Sequence, residues 1–95
     1  MPKRSITLVG RASQLKCLHD HVSFLLTVKS RTCADLVVEC RAFGQHLIEK
    51  FESMDEDSFV GVIGSLLPIQ EQDAHSIVRL TCLEPLGKSR QQVQP

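Results

Sequence analysis

Five short strand-like runs, at residues 6–9, 22–29, 36–43, 59–66 and 76–83, are interrupted by a single helical pattern that falls between the third and fourth. In the second run Val22, Phe24, Leu26 and Val28 share one face, while Ser23, Leu25, Thr27 and Lys29 share the other. That period of two is the mark of a strand with one side in a core. The third run repeats it, with Leu36, Val38, Cys40 and Ala42 inward and Val37, Glu39, Arg41 and Phe43 outward. The period then switches once. Leu47, Ile48, Phe51 and Met54 recur at helical spacing, which predicts an amphipathic helix of about three turns with Gln45, Glu49, Lys50 and Glu52 solvated.

The remaining segments read as connections and corners. Residues 5–10 alternate and end in Gly10, as expected for a half-buried strand turning a barrel corner. Residues 12–21 are polar and irregular, either a loop or the bent continuation of the first strand. Gly61 and Gly64 suggest close backbone approach or sharp curvature in the fourth run, Pro68 stops it, and residues 70–75 predict a polar hairpin loop. From Glu84 onward Pro85, Gly87 and a Gln-rich stretch predict a frayed tail. Residues 1–86 therefore form one domain and 87–95 a flexible tail. Five strands with one helix in the gap between strands three and four predict an all-β OB-fold barrel, the helix plugging one end. Such barrels bind single-stranded nucleic acid or oligosaccharide through strands two and three and the adjoining loops.

Several classes are disfavoured. No apolar run approaches the roughly 18 residues of a membrane span. The start, Met1-Pro2-Lys3-Arg4, leads straight into a strand without a signal peptide's apolar stretch. A soluble cytoplasmic protein associated with the nucleoid is expected, without membrane contact. The cysteines Cys17, Cys33, Cys40 and Cys82 are then expected to be reduced, with Cys40 and Cys82 serving as small hydrophobes inside strands. Cys17, His19 and His21 form a Cys-x-His-x-His spacing that is no established zinc pattern. No Gly-rich phosphate loop, nucleophile elbow or framed carboxylate pair is present. Neither a metal, a cofactor nor an enzymatic activity is expected.

Eleven basic and eleven acidic residues leave a net charge of zero, short of the basic footprint usual for nucleic-acid binding. The signs are segregated, however. Lys3, Arg4, Arg11, Lys16, Lys29, Arg31 and Arg41 fill the first half, and Glu49, Glu52, Asp55, Glu56 and Asp57 crowd the middle. A neutral total can conceal a positive face, and the local field is what steers a ligand. The candidate contacts are Arg11, Lys16, Lys29, Arg31, Arg41 and Arg79, with Phe43 as the stacking ring. Phe24, Phe51 and Phe59 read as core. Against these readings stand ordinary ones: Phe43 as a barrel-end core residue beneath the helix, Arg41 as a partner of Glu39, Lys29 and Arg31 as solubilising loop charge.

The chain resembles the bacterial single-stranded-DNA-binding protein family. Ile6-Thr7-Leu8-Val9-Gly10 is similar to the family's opening strand, and Val37 to Gly44 with His46-Leu47-Ile48 to its third strand, Phe-Gly motif and helix start. Val60-Gly61-Val62-Ile63-Gly64-Ser65-Leu66 is similar to its fourth strand. The resemblance spans about residues 5 to 84. It implies that Phe43 is the base-stacking aromatic of the Phe-Gly motif, Arg41 a phosphate or stacking contact, and Arg11 a residue beside the path of the DNA. Three departures accompany it. The family's stacking tryptophans are absent, with Val37 at one of their positions. Asp55-Glu56-Asp57 replaces the Lys-Gly turn before strand four and would repel phosphate as a hydrated turn. The long acidic-tipped tail has no counterpart in residues 89–95. A tailless relative in the primosome is a related reading.

Sequence-independent single-stranded DNA binding in replication, recombination or repair is thus the expected function, by a homodimer or homotetramer acting with replication or primosome proteins. Self-association is expected because small barrels with exposed strand edges pair readily. The alternative is a protein-binding OB-fold subunit of a larger assembly with no nucleic-acid role.

Overall fold

The computed structural model describes residues 5–32, 34–68 and 75–87. Its elements are β1 (Ile6–Cys17), β2 (Val22–Val28), β3 (Leu36–Ala42), α1 (Gln45–Glu52), β4 (Phe59–Leu66) and β5 (Ser76–Gly87). The strands close into a barrel in the order β1-β2-β3-β5-β4, with β4 pairing back onto β1. All pairs are antiparallel except β3 with β5, which run parallel. Closure, strand number and the helix between β3 and β4 make this an OB-fold. Cys33, most of the expected 70–75 loop and residues 88–95 lie outside the described residues.

Alternation dictates the interior. Phe24, Leu26, Val38, Cys40, Val60, Val62 and Val78 are fully buried. Burial, with a smaller contribution from Glu39, pushes the Cys40 thiol up to about 12, so it fills space as a neutral apolar group. Helix α1 closes one end by burying Leu47 and Phe51, whose ring lies 6.3 Å from that of Phe24. Lys50 also binds Glu84 of β5 at 3.1 Å. The helix has eight residues, shorter than the expected three turns. It tightens at its end, where the amide of Ser53 donates to the carbonyl of Lys50 and that of Met54 to Phe51, so Met54 is buried from just beyond the helix.

β1 is continuous through the segment that reads as irregular. A bulge between Ser13 and Lys16 bends it, with Gln14 at φ 54°. The Glu56 carboxylate holds this bend, accepting the amides of Gln14 at 2.7 Å and Leu15 at 3.3 Å. Ala12 exchanges backbone bonds with the same turn, to Asp57 and Ser58. Residues 55–57 are exposed, as their reading as a hydrated turn expects, and Glu56 and Asp57 in addition bond the turn to β1.

Three further corrections concern β4 and β5. The backbone approaches closely at Gly64, where a Cβ would collide with the Arg79 carbonyl oxygen, but Gly61 stands between Val9 and Leu86 with ordinary room. Glu84 to Gly87 do not fray; they continue β5, pairing with β4 as far as Phe59. Cys82 is exposed instead of acting as a core hydrophobe. A register shift opposite Ile63 and Gly64 advances β5 by an extra residue, so Leu80 and Leu83 both face inward and 81 and 82 face out.

Candidate nucleic-acid interface

The strand registers assemble side chains that the sequence scatters. Lys16 pairs with Ser23, Ser23 with Arg41, and Arg41 with Arg79, so three cations form one row across β1, β2, β3 and β5. At the end of β3, Phe43 is half-buried on the wall and outside the buried core. Its ring stacks on His21 with centroids 4.7 Å apart and planes 26° apart. The guanidinium carbon of Arg79 lies 4.7 Å from the same ring's centroid. β2 and β5 flank β3, so imidazole and guanidinium reach Phe43 from opposite sides.

This arrangement revises the expected exposed pair of Arg41 and Phe43. Arg41 donates from Nε to Glu39 at 2.8 Å and is only about a third exposed (35%). The cation at the ring is Arg79, contributed through the parallel β3–β5 pairing. His21 is a residue that the sequence reading missed. A signal was present: its outward parity with Ser23, one step before β2, places it opposite Phe43 once the hairpin register is known. His21 Nδ1 lies 2.7 Å from the Asp20 carboxylate, and this hydrogen bond holds the Asp20 carboxyl below its usual range.

A second group gathers one barrel corner away. Phe59 pairs with Arg11, Arg11 with Thr27, and Thr27 with Val37. Val9, Gly10, Arg11, Thr27, Lys29 and Phe59 line a concave groove of about 210 Å³. Phe59 is thus half-buried on the outer wall, which corrects its reading as core. Gly10 makes the corner, since a Cβ there would meet the Thr27 carbonyl oxygen. Lys29 lies 3.6 Å from Asp35, with the lysine largely in solvent and the aspartate 39% exposed. Between the two groups run Ser13, Leu25 and Glu39. Lys16 borders a smaller hollow of about 70 Å³ shared with Gln14, Ser23 and Glu39. Arg31 stands exposed after β2 and lines neither hollow. Arg11, Lys16, Arg31 and Arg79 are in no ion pair among the described residues.

Chemically, this face combines flat rings, dispersed cations and an apolar floor, the combination that holds a single strand by stacking and backbone charge. Among the described residues no helix is long and apolar enough to cross a membrane.

No protein-family model matches the chain, and no curated protein matches it. Solved structures do. The small single-stranded DNA-binding protein of Streptomyces coelicolor is similar at a TM-score of 0.73 and 18% identity, over 90% of this chain and 94% of that one. The second single-stranded DNA-binding protein of Mycobacterium smegmatis is similar at 0.73 and 21%, over 88% and 89%. The mitochondrial single-stranded DNA-binding protein Rim1 of S. cerevisiae is similar at 0.77 and 12%, over 94% and 100%. Identities this low establish a common fold, the OB-fold barrel.

Proposed function

We propose that this chain binds single-stranded DNA without reading its sequence, across the outer face of β1, β2, β3 and β5. The observation that carries the reading is the Arg79 guanidinium over the Phe43 ring, at the end of a row holding Lys16 and Arg41. A contact of this kind at an exposed site is worth about 0.5–1 kcal/mol. A base stacked on an aromatic ring contributes about 1–3 kcal/mol. A base therefore displaces Arg79 from Phe43, and the released cation is left beside the backbone phosphate. His21 stays stacked behind the ring and widens the platform, which offsets the lack of tryptophan and tyrosine. The three similar structures are of proteins that bind single-stranded DNA, which supports the same choice of ligand.

In this reading the protein is a homo-oligomeric accessory of replication, recombination or repair, a dimer or tetramer working with replication or primosome proteins near the nucleoid. The barrel is closed, and free edge is left at stretches such as residues 6–9 of β1 and 80–87 of β5, which pair with β4 on one side. The support for oligomerisation is an apolar wall: Val9 and Leu86 are each 55% exposed and Ile63 38%, side by side across β1, β4 and β5. Linking several short tracks raises the effective concentration of each along one strand.

The test is an anisotropy titration of labelled dT and rU oligomers at rising salt. With about four phosphate contacts the log–log slope is expected to be roughly −3, at about −0.7 per contact. Tighter binding of dT than rU supports DNA as the ligand. Absence of binding at low salt, together with a stable hetero-complex in pull-downs, would leave a protein-only OB-fold module in its place.

A further inference from the structure

We infer that the groove beside Phe59 is a second nucleotide seat, in which a base stacks on the Phe59 ring while its phosphate lies between Arg11 and Lys29. This rests on the single-strand reading above and says where the strand goes after it leaves Phe43. The groove has the composition of such a seat: one aromatic ring, the apolar Val9 and Gly10, the Thr27 hydroxyl, and two cations at its rim. Arg11 is exposed and in no ion pair among the described residues. Among the described residues the acid tied to the rim is Asp35, which holds Lys29 at 3.6 Å in an ion pair whose lysine is 73% exposed. Exposed pairs of this sort are weak, so a phosphate can take the ammonium over.

Size argues for one unit of a polymer instead of a free small ligand. A volume of about 210 Å³ is below the roughly 300 Å³ at which pockets begin to enclose drug-sized molecules. A single nucleotide held in place by its neighbours needs no such enclosure. The position fits as well. Thr27, at the groove, and His21, behind Phe43, are separated by six residues of the β2 segment, roughly 20 Å at about 3.3 Å each. About six stacked nucleotides at 3.4 Å cover that distance, and fewer do so when stretched. Such a length is within the roughly 4–16 nucleotides that one OB-fold occupies. Leu25 on the intervening row gives the strand an apolar surface to cross, and Glu39 keeps it from settling midway.

The experiment compares wild type with Phe59→Leu, Arg11→Ala and Phe43→Ala, titrating a dT trimer and a dT dodecamer into each. A trimer fills one seat at a time, so loss of the Phe59 seat changes its affinity by about twofold at most. A dodecamer spans both, and Phe59→Leu or Arg11→Ala is expected to weaken it at least about fivefold, the lower end for a lost base stack. Photocrosslinking of an iodouracil-substituted dodecamer to wild type is expected at both Phe43 and Phe59, and this arm needs no variant to fold. If the dodecamer titrates normally against Phe59→Leu and Arg11→Ala while Phe43→Ala still weakens it, the second seat is wrong and single-strand binding stands. If wild type binds no oligomer, both fall. If the variants lose affinity only with a change in oligomer mass, the groove is a subunit contact and the seat is overturned.

Discussion

At the scale of single residues, Glu39 lowers the positive charge of the proposed binding face. It sits between the two clusters, binds Arg41 at 2.8 Å and borders the hollow beside Lys16. A carboxylate there repels phosphate and occupies a cation that would otherwise be available. Glu39→Gln is therefore expected to tighten oligo-dT binding about three- to tenfold at low salt, an effect that shrinks as screening rises. Arg79→Ala is expected to weaken binding more than Arg41→Ala, because Arg79 stands at the ring and is in no ion pair among the described residues, whereas Arg41 is held by Glu39. Equal effects of the two substitutions in parallel titrations would return Arg41 to the place that adjacency to Phe43 suggests. Outward parity made Arg41 and Phe43 legible in the sequence. The Glu39 partner of Arg41 was legible too, two residues away on the same face, but the arginine over the ring was not, because that depends on which strand lies alongside β3.

At the scale of elements, β1 shows how an apparent flaw in the pattern becomes a structural device. Residues 12–21 break alternation because Gln14 adopts a left-handed conformation and the strand bulges. Glu56 replaces the lost ladder bonds with two amide contacts from 42 and 41 residues away. Glu56→Ala is expected to cost about 1 kcal/mol, the usual net value of such hydrogen bonds. For a domain of this size that lowers the melting temperature by roughly 4–8 °C. Glu56→Gln, which keeps one acceptor, is expected to lose less. Calorimetry on the pair checks this, and an unchanged transition for Glu56→Ala would mean that solvent satisfies those amides equally well. The acidic run was visible in the sequence, but its partner was not.

At the scale of the whole molecule, the barrel carries the proposed strand-binding face and, adjoining it at Val9, an apolar wall. The first holds the cation row and the two ring clusters; the wall runs on from Val9 to Ile63 and Leu86. Ile63→Asp is expected to dissociate the proposed oligomer, because a charge at the middle of an apolar contact has no partner there. Sedimentation equilibrium checks it: wild type is expected at twice or four times the monomer mass and the variant at the monomer mass. A monomeric wild type would leave the wall unexplained. Dissociation is also expected to weaken binding of long oligomers more than short ones, since linked tracks are lost while each track is kept.

The sequence by itself determined the barrel. Which residues face inward is a local property of a period-two or helical pattern, and burial rewards it wherever the strand ends up. The tertiary structure alone decided the neighbours: the parallel β3–β5 pairing set Arg79 over Phe43, and closure of β4 onto β1 set Phe59 beside Arg11. Register between distant strands is chosen by the closed hydrogen-bond network and its bulges. Alternation names a face and leaves open what lies across it.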